Sequence, residues 1–135
     1  MKSASLIRFR IDFAENANVG PGKIALLQGI RAFGSLSEAA RRMGISYRRA
    51  WLLLDSLNKS FDVPVTVNSA GGRGGGGAEV TPFGVLLITR YRQVERKLND
   101  VAGAYLEEIA SRVNRNGAIT SARRVSLTKK RRNGD

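Results

Sequence analysis

The sequence predicts an α+β fold, mainly α, and three observations carry that expectation. Ile7, Phe9, Ile11 and Phe13 alternate with Arg8, Arg10 and Asp12, which is the pattern of a half-buried strand over residues 6–13. Three apolar stripes at helical spacing lie between Lys23 and Lys59, punctuated by Gly34 and Gly44. A glycine-rich stretch between two short β-patterned runs then leads into Thr81-Pro82 and an apolar repeat that continues to Val113. The expected order is an N-terminal strand, three helices, a two-stranded hairpin and one long C-terminal helix.

Each element has a local cause. Asn16, Asn18, Gly20, Pro21 and Gly22 read as a loop after the first strand. The first helix is expected from about Lys23 to Phe33, with Ile24, Leu27 and Ile30 as its stripe and Gly34 as its stop. Ser37 reads as the N-cap of a short helix over Glu38–Met43, with Ser35 as the competing cap. Ala39, Ala40 and Met43 form its apolar side, and Gly44 ends it. Ser46 caps the next helix, Tyr47 to about Lys59, where Ala50, Leu53, Leu54 and Leu57 follow the i, i+3, i+4, i+7 pattern. Trp51 on this helix is expected inside, by the burial habits of large aromatic side chains.

Pro64 breaks the helical pattern, and Val63, Val65 and Val67 alternate as a strand. Ala78 to Thr81 is expected to pair back against it, closing a hairpin whose tip holds Arg73 among glycines. Thr81 followed by Pro82 is an N-cap with Pro at N1. The helix that follows is expected over about residues 82–113 and would be about 45 Å long. So long an apolar stripe exceeds what one small core needs, so its outer part is expected to meet a partner. The expected division is one domain over 1–113, which includes this long helix, and a flexible basic tail over 114–135.

Composition limits the function. The 135 residues carry 23 Lys plus Arg against 11 Asp plus Glu, a formal net charge of +12. That balance points to a polyanionic partner, nucleic acid before an anionic membrane surface. Zero His and zero Cys exclude zinc fingers, thiol catalysis, disulfides and imidazole acid–base chemistry. No paired carboxylates and no nucleophile with a base are evident, so no enzyme, cofactor or metal is expected. No apolar run is long enough for a membrane span or a signal peptide, and a cytoplasmic setting is expected.

The unit Leu36 to Leu54 reads as helix, glycine turn, helix, with small Ala39 and Ala40 where two helices approach and Ile45 plugging the corner. Such a unit offers the start of its second helix to the DNA major groove. Ser46, Tyr47, Arg48 and Arg49 stand there: Arg for bidentate contacts with guanine, Ser and Tyr for phosphates or bases. Arg42 is a further phosphate candidate, and Arg73 on the hairpin tip another. Gly72 to Gly77 satisfies G-x-G-x-x-G, but a strand follows where a dinucleotide fold needs a helix, and no Gly-Lys-Ser/Thr is present. Nucleotide binding is therefore rejected, and a wing is the better reading.

The run Gly44-Ile45-Ser46-Tyr47, the pair Ala50-Trp51 and the segment Gly71 to Ala78 followed by Val80-Thr81 resemble the N-terminal domain of molybdate-responsive ModE-type transcriptional regulators. The resemblance covers about residues 5–113, and more distantly the segment is similar to the LysR-type DNA-binding domain. It implies a winged helix–turn–helix, a homodimer held by the long helix, and a palindromic site on double-stranded DNA. Full-length members of the family add a molybdate-binding module whose first strand carries Thr-Ser-Ala-Arg-Asn. Thr120-Ser121-Ala122-Arg123 resembles that stretch and departs from it at Arg124. Ser121 and Arg123 are thus implied oxyanion ligands, expected here as a vestige, with no small-molecule effector within the chain. Sequence-specific DNA binding stands as the expected function. An oxyanion-sensing fragment and a nonspecific architectural DNA-binding protein stand as alternatives.

Overall fold

The computed structural model describes residues 6–69 and 77–114. Along the chain come β1 (Ile11–Ala14), β2 (Ala17–Val19), α1 (Pro21–Phe33), α2 (Leu36–Met43), α3 (Tyr47–Lys59), β3 (Thr66–Ser69), β4 (Gly77–Val80) and α4 (Pro82–Ala110). This is the α+β order of a winged helix–turn–helix, with α2 and α3 as the motif and β3–β4 as the wing. By internal packing the described residues divide into one unit over Ile7–Lys97 and a second that includes residues 98–114. No described helix is long and apolar enough to cross a membrane.

The N-terminal region departs from the expected single strand. β1 turns back on β2 as an antiparallel hairpin, so part of the expected loop is a strand. The register slips between Asp12 and Ala14, leaving Phe13 as the extra residue of a bulge. The bulge breaks the alternation, so Phe13, expected inward, is exposed and meets Phe61 edge-on at 5.8 Å. Phe9 keeps its inward place, stacked on Tyr91 at 4.5 Å between ring centroids, while the Tyr91 hydroxyl donates to the Phe9 carbonyl at 2.6 Å.

Helix α1 is the centre of the unit. Ile24 and Leu27 pack with Val19, Leu57, Val65, Leu87, Ile88 and Tyr91. Leu26 and Ile30 pack instead with Leu36, Ala39, Ala40 and Ala50. Each fully buried Leu or Ile contributes about 1.5–3 kcal/mol, so α1 ties the hairpin and α4 to the helix–turn–helix. Ala39 is small for a reason: a Cβ built on Gly29 of α1 would stand 3.0 Å from the Ala39 Cβ, so these helices approach closely.

Helix α2 starts earlier than expected, because Ser35 rather than Ser37 is its cap. Ser35 has extended backbone, and its hydroxyl oxygen accepts from the Glu38 amide at 3.1 Å. The same residue bridges to Gly77, and the Ala78 amide donates to the Gly34 carbonyl at 2.9 Å. The root of the wing is therefore stitched to the α1–α2 connection. Gly44 closes α2 at φ 71°, a left-handed conformation that disfavours any side chain, and its amide donates to the Arg41 carbonyl.

The first wing strand also starts later than expected. Asn58 Oδ1 accepts from the Val65 amide at 2.7 Å, and the Val65 carbonyl accepts from the Thr81 amide at 2.9 Å. Held this way, Val65 is buried before the ladder begins, Thr66 is buried next to it, and Val63 and Val67 face solvent. β3 and β4 then pair antiparallel from Thr66↔Val80 to Ser69↔Gly77. Gly84 accepts no larger residue cheaply, because a Cβ there would collide with the Val65 carbonyl oxygen.

Thr81 joins the wing to α4. Its hydroxyl accepts from the Gly84 amide at 3.0 Å and donates to the Pro64 carbonyl at 2.7 Å. Thr81→Ala is expected to cost about 1–2 kcal/mol, read as a lower urea midpoint with an unchanged slope. Within the second unit Val101, Tyr105, Ile109 and Val113 are exposed, Tyr105 at 81%.

Candidate nucleic-acid interface

Helix α3 begins where the glycine turn releases the chain. The Ser46 backbone is extended, and its hydroxyl oxygen accepts from the Arg49 amide at 3.1 Å. That bond satisfies one of the free amides of the first turn and fixes where the helix starts. Ala50 and Leu57 point into the core, which sets the rotation of α3 about its axis. Ser46, Tyr47, Arg48 and Arg49 are then all exposed. Among the described residues, neither Arg48 nor Arg49 forms an ion pair.

Trp51 corrects the sequence expectation. It is 49% exposed, with Tyr47 at 56% and Leu52 at 49%. The inward stripe is complete with Ala50, Leu53, Leu54 and Leu57, which leaves no room on that side for the indole. Tyr47 and Trp51 are four residues apart and share the outer edge of α3.

The basic residues of α2 are engaged otherwise. Glu38 accepts from Arg41 and Arg42, with the Arg42 contact at 2.8 Å. Hydrogen bonds from Arg41 first and Arg42 second hold its carboxyl at about 2, far below the usual carboxylate range. The Arg42 guanidinium also lies over the Phe33 ring, 4.3 Å from its centroid. Arg42 is exposed, and its charge is already partnered by Glu38.

Lys23, Asn18 and Ser56, which no sequence motif marks, stand beside this surface. Lys23 is 8% exposed, and its ammonium donates to the Asn18 carbonyl at 2.9 Å, to Asn18 Oδ1 at 3.3 Å and to Ser56 Oγ at 3.0 Å. Burial first, and the Arg10 charge second, lowers its pKa. The only sequence signal was a lysine on the apolar side of α1, next to Ile24. Arg73, Ser121 and Arg123 lie outside the described residues. No cluster of metal-ligating side chains occurs among the described residues.

No family model matches the chain. It is 30% identical over 129 residues to the molybdenum transport protein ModE of Azotobacter vinelandii, spanning 87% of this chain and 48% of that protein. It is 34% identical over 110 residues to the DNA-binding transcriptional dual regulator ModE of Escherichia coli K12, spanning 76% and 42% of the two chains. It is 42% identical over 79 residues to the molybdenum-pterin-binding protein MopB of Rhodobacter capsulatus, spanning 58% and 29%. The chain thus spans about half or less of the length of these curated relatives. Over most of its own length it is similar to proteins named for molybdenum transport, molybdenum-pterin binding and transcriptional regulation.

Proposed function

We propose that this protein binds double-stranded DNA sequence-specifically as a homodimer and regulates transcription, with molybdate transport genes as its targets. The carrying observation is the first turn of α3: Ser46, Tyr47, Arg48 and Arg49 are exposed together at the end of a helix–turn–helix. Arg48 and Arg49 have no carboxylate among the described residues to compete for them. Two arginines on a helix that fits the major groove can donate bidentately to guanine edges. Ser46 is at once the cap and a phosphate ligand, and Arg42 adds a peripheral phosphate contact. The exposed apolar side of α4 supports the homodimer, and the names of the relatives support the link to molybdenum.

Arg73 and the tail supply backbone contacts rather than sequence reading. Arg73→Ala and removal of residues 125–135 are expected to weaken binding to specific and random duplexes alike. Each lost phosphate contact should flatten the slope of log K against log salt by about 0.9. A loss confined to the specific duplex would contradict that assignment. Molybdate itself is expected to leave the binding curve unmoved. A shift that Arg123→Ala abolishes would instead support the oxyanion-sensing reading of Ser121 and Arg123.

A further inference from the structure

A shallow concavity of about 480 Å3 has Asn18 of β2, Lys23 of α1 and residues of α3 along its wall. Its polar lining is Asn18, Lys23, Ser46, Arg48, Arg49 and Ser56, with no carboxylate among the lining residues. We infer that this concavity seats one phosphodiester group of the DNA backbone, with Asn18 and Ser56 as direct donors and Lys23 as the residue that positions them. The inference rests on the DNA-binding reading above and adds one contact from β2, outside the helix–turn–helix motif, and one from further along α3.

Lys23 supplies the first argument. All three of its protons are directed at neutral oxygens: the Asn18 carbonyl, Asn18 Oδ1 and Ser56 Oγ. A cation that is 8% exposed and has no ion pair among the described residues is costly to keep in place. An anion in the concavity offsets that cost.

Donor polarity supplies the second. An ammonium only donates, so Ser56 Oγ and Asn18 Oδ1 must act as acceptors toward it. The Ser56 hydroxyl proton and the Asn18 amide NH2 are left to donate elsewhere. Ser46 is in the same state, because its oxygen accepts from the Arg49 amide. Among the described residues, none of these three donors has an acceptor, and Arg48 and Arg49 have no ion pair. A wall of donors beside two free guanidinium groups selects an anion with several acceptor oxygens. The concavity is wider than one oxyanion needs, and Leu52 and Leu53 complete its lining as apolar surface for an attached sugar. Its place against the first turn of α3 favours a phosphate that is carried by the duplex over a free ion.

The test uses the full chain, a duplex of random sequence and inorganic phosphate. Asn18→Asp keeps the side-chain size, gives Lys23 a counter-ion and places a carboxylate in the seat. Its melting temperature is expected to hold or rise, while its affinity for random duplex falls about tenfold. Ser56→Ala, at an exposed position, is expected to lower duplex affinity several-fold without unfolding, and it carries the test alone if Asn18→Asp fails to fold. A purely structural role for Lys23 predicts unchanged duplex affinity in both variants, whatever happens to their melting temperatures. If duplex affinity is unchanged but millimolar phosphate raises the melting temperature of the wild type and not of the variants, the seat stands with a free oxyanion as its ligand. If wild type binds no duplex at all, the DNA reading falls, and the phosphate titration alone decides the seat. Unchanged duplex affinity in the variants together with no response to phosphate overturns the inference.

Discussion

Replacing Val101 with Asp is expected to convert a dimer into monomers. Leu98, Val101 and Tyr105 recur at spacings of three and four along the last part of α4, the rhythm of a helix seam, and all three are exposed within one chain. Burying an unpaired carboxylate in such a seam costs about 3–5 kcal/mol, which raises the dimer dissociation constant by about two to four decades. Val101 belongs to neither buried cluster, so the variant should keep its helical circular dichroism and its fold. Leu98→Asp should behave alike. Light scattering at micromolar concentration reads the result, and a wild type that is already monomeric there contradicts the proposed dimer.

The second large effect is on base reading. Arg48→Ala or Arg49→Ala is expected to cost about 1–3 kcal/mol on the cognate duplex and much less on random DNA. The two residues lie about 100° apart around the helix, so the larger loss is expected at one of them. Both are exposed and unpaired among the described residues, so neither substitution should lower the melting temperature. Equal losses on cognate and random duplexes would reduce both residues to phosphate contacts and favour an architectural protein.

Much of this was legible in the sequence because strong local signals agree with the tertiary structure. Gly34 and Gly44 end their helices in left-handed backbone, Ser46 and Thr81 cap theirs, and Ala50 and Leu57 turn inward as their spacing requires. The failures have tertiary causes. Phe13 is turned out by a bulge, and a bulge leaves no mark in a period-two pattern. Ser35 displaces Ser37 as the cap because it also bridges to Gly77, a partner far along the chain. Residue type alone places Trp51 inside, yet it is exposed, because Ala50, Leu53, Leu54 and Leu57 fill the inward stripe of α3. Of the candidate site, the exposed turn of α3 followed from capping and spacing. Asn18, Lys23 and Ser56 could not be found that way, since they meet only when β2, α1 and α3 are packed together.

The central claim is that α3 of a symmetric dimer reads bases. Selection of bound duplexes from a random-sequence library by the full chain tests it most directly. The account predicts enrichment of a palindromic consensus whose half-sites lie about 10 base pairs apart, or a multiple of that, with information at one or more positions lost when Arg48 or Arg49 is alanine. A bound pool that is indistinguishable from the input library would contradict it.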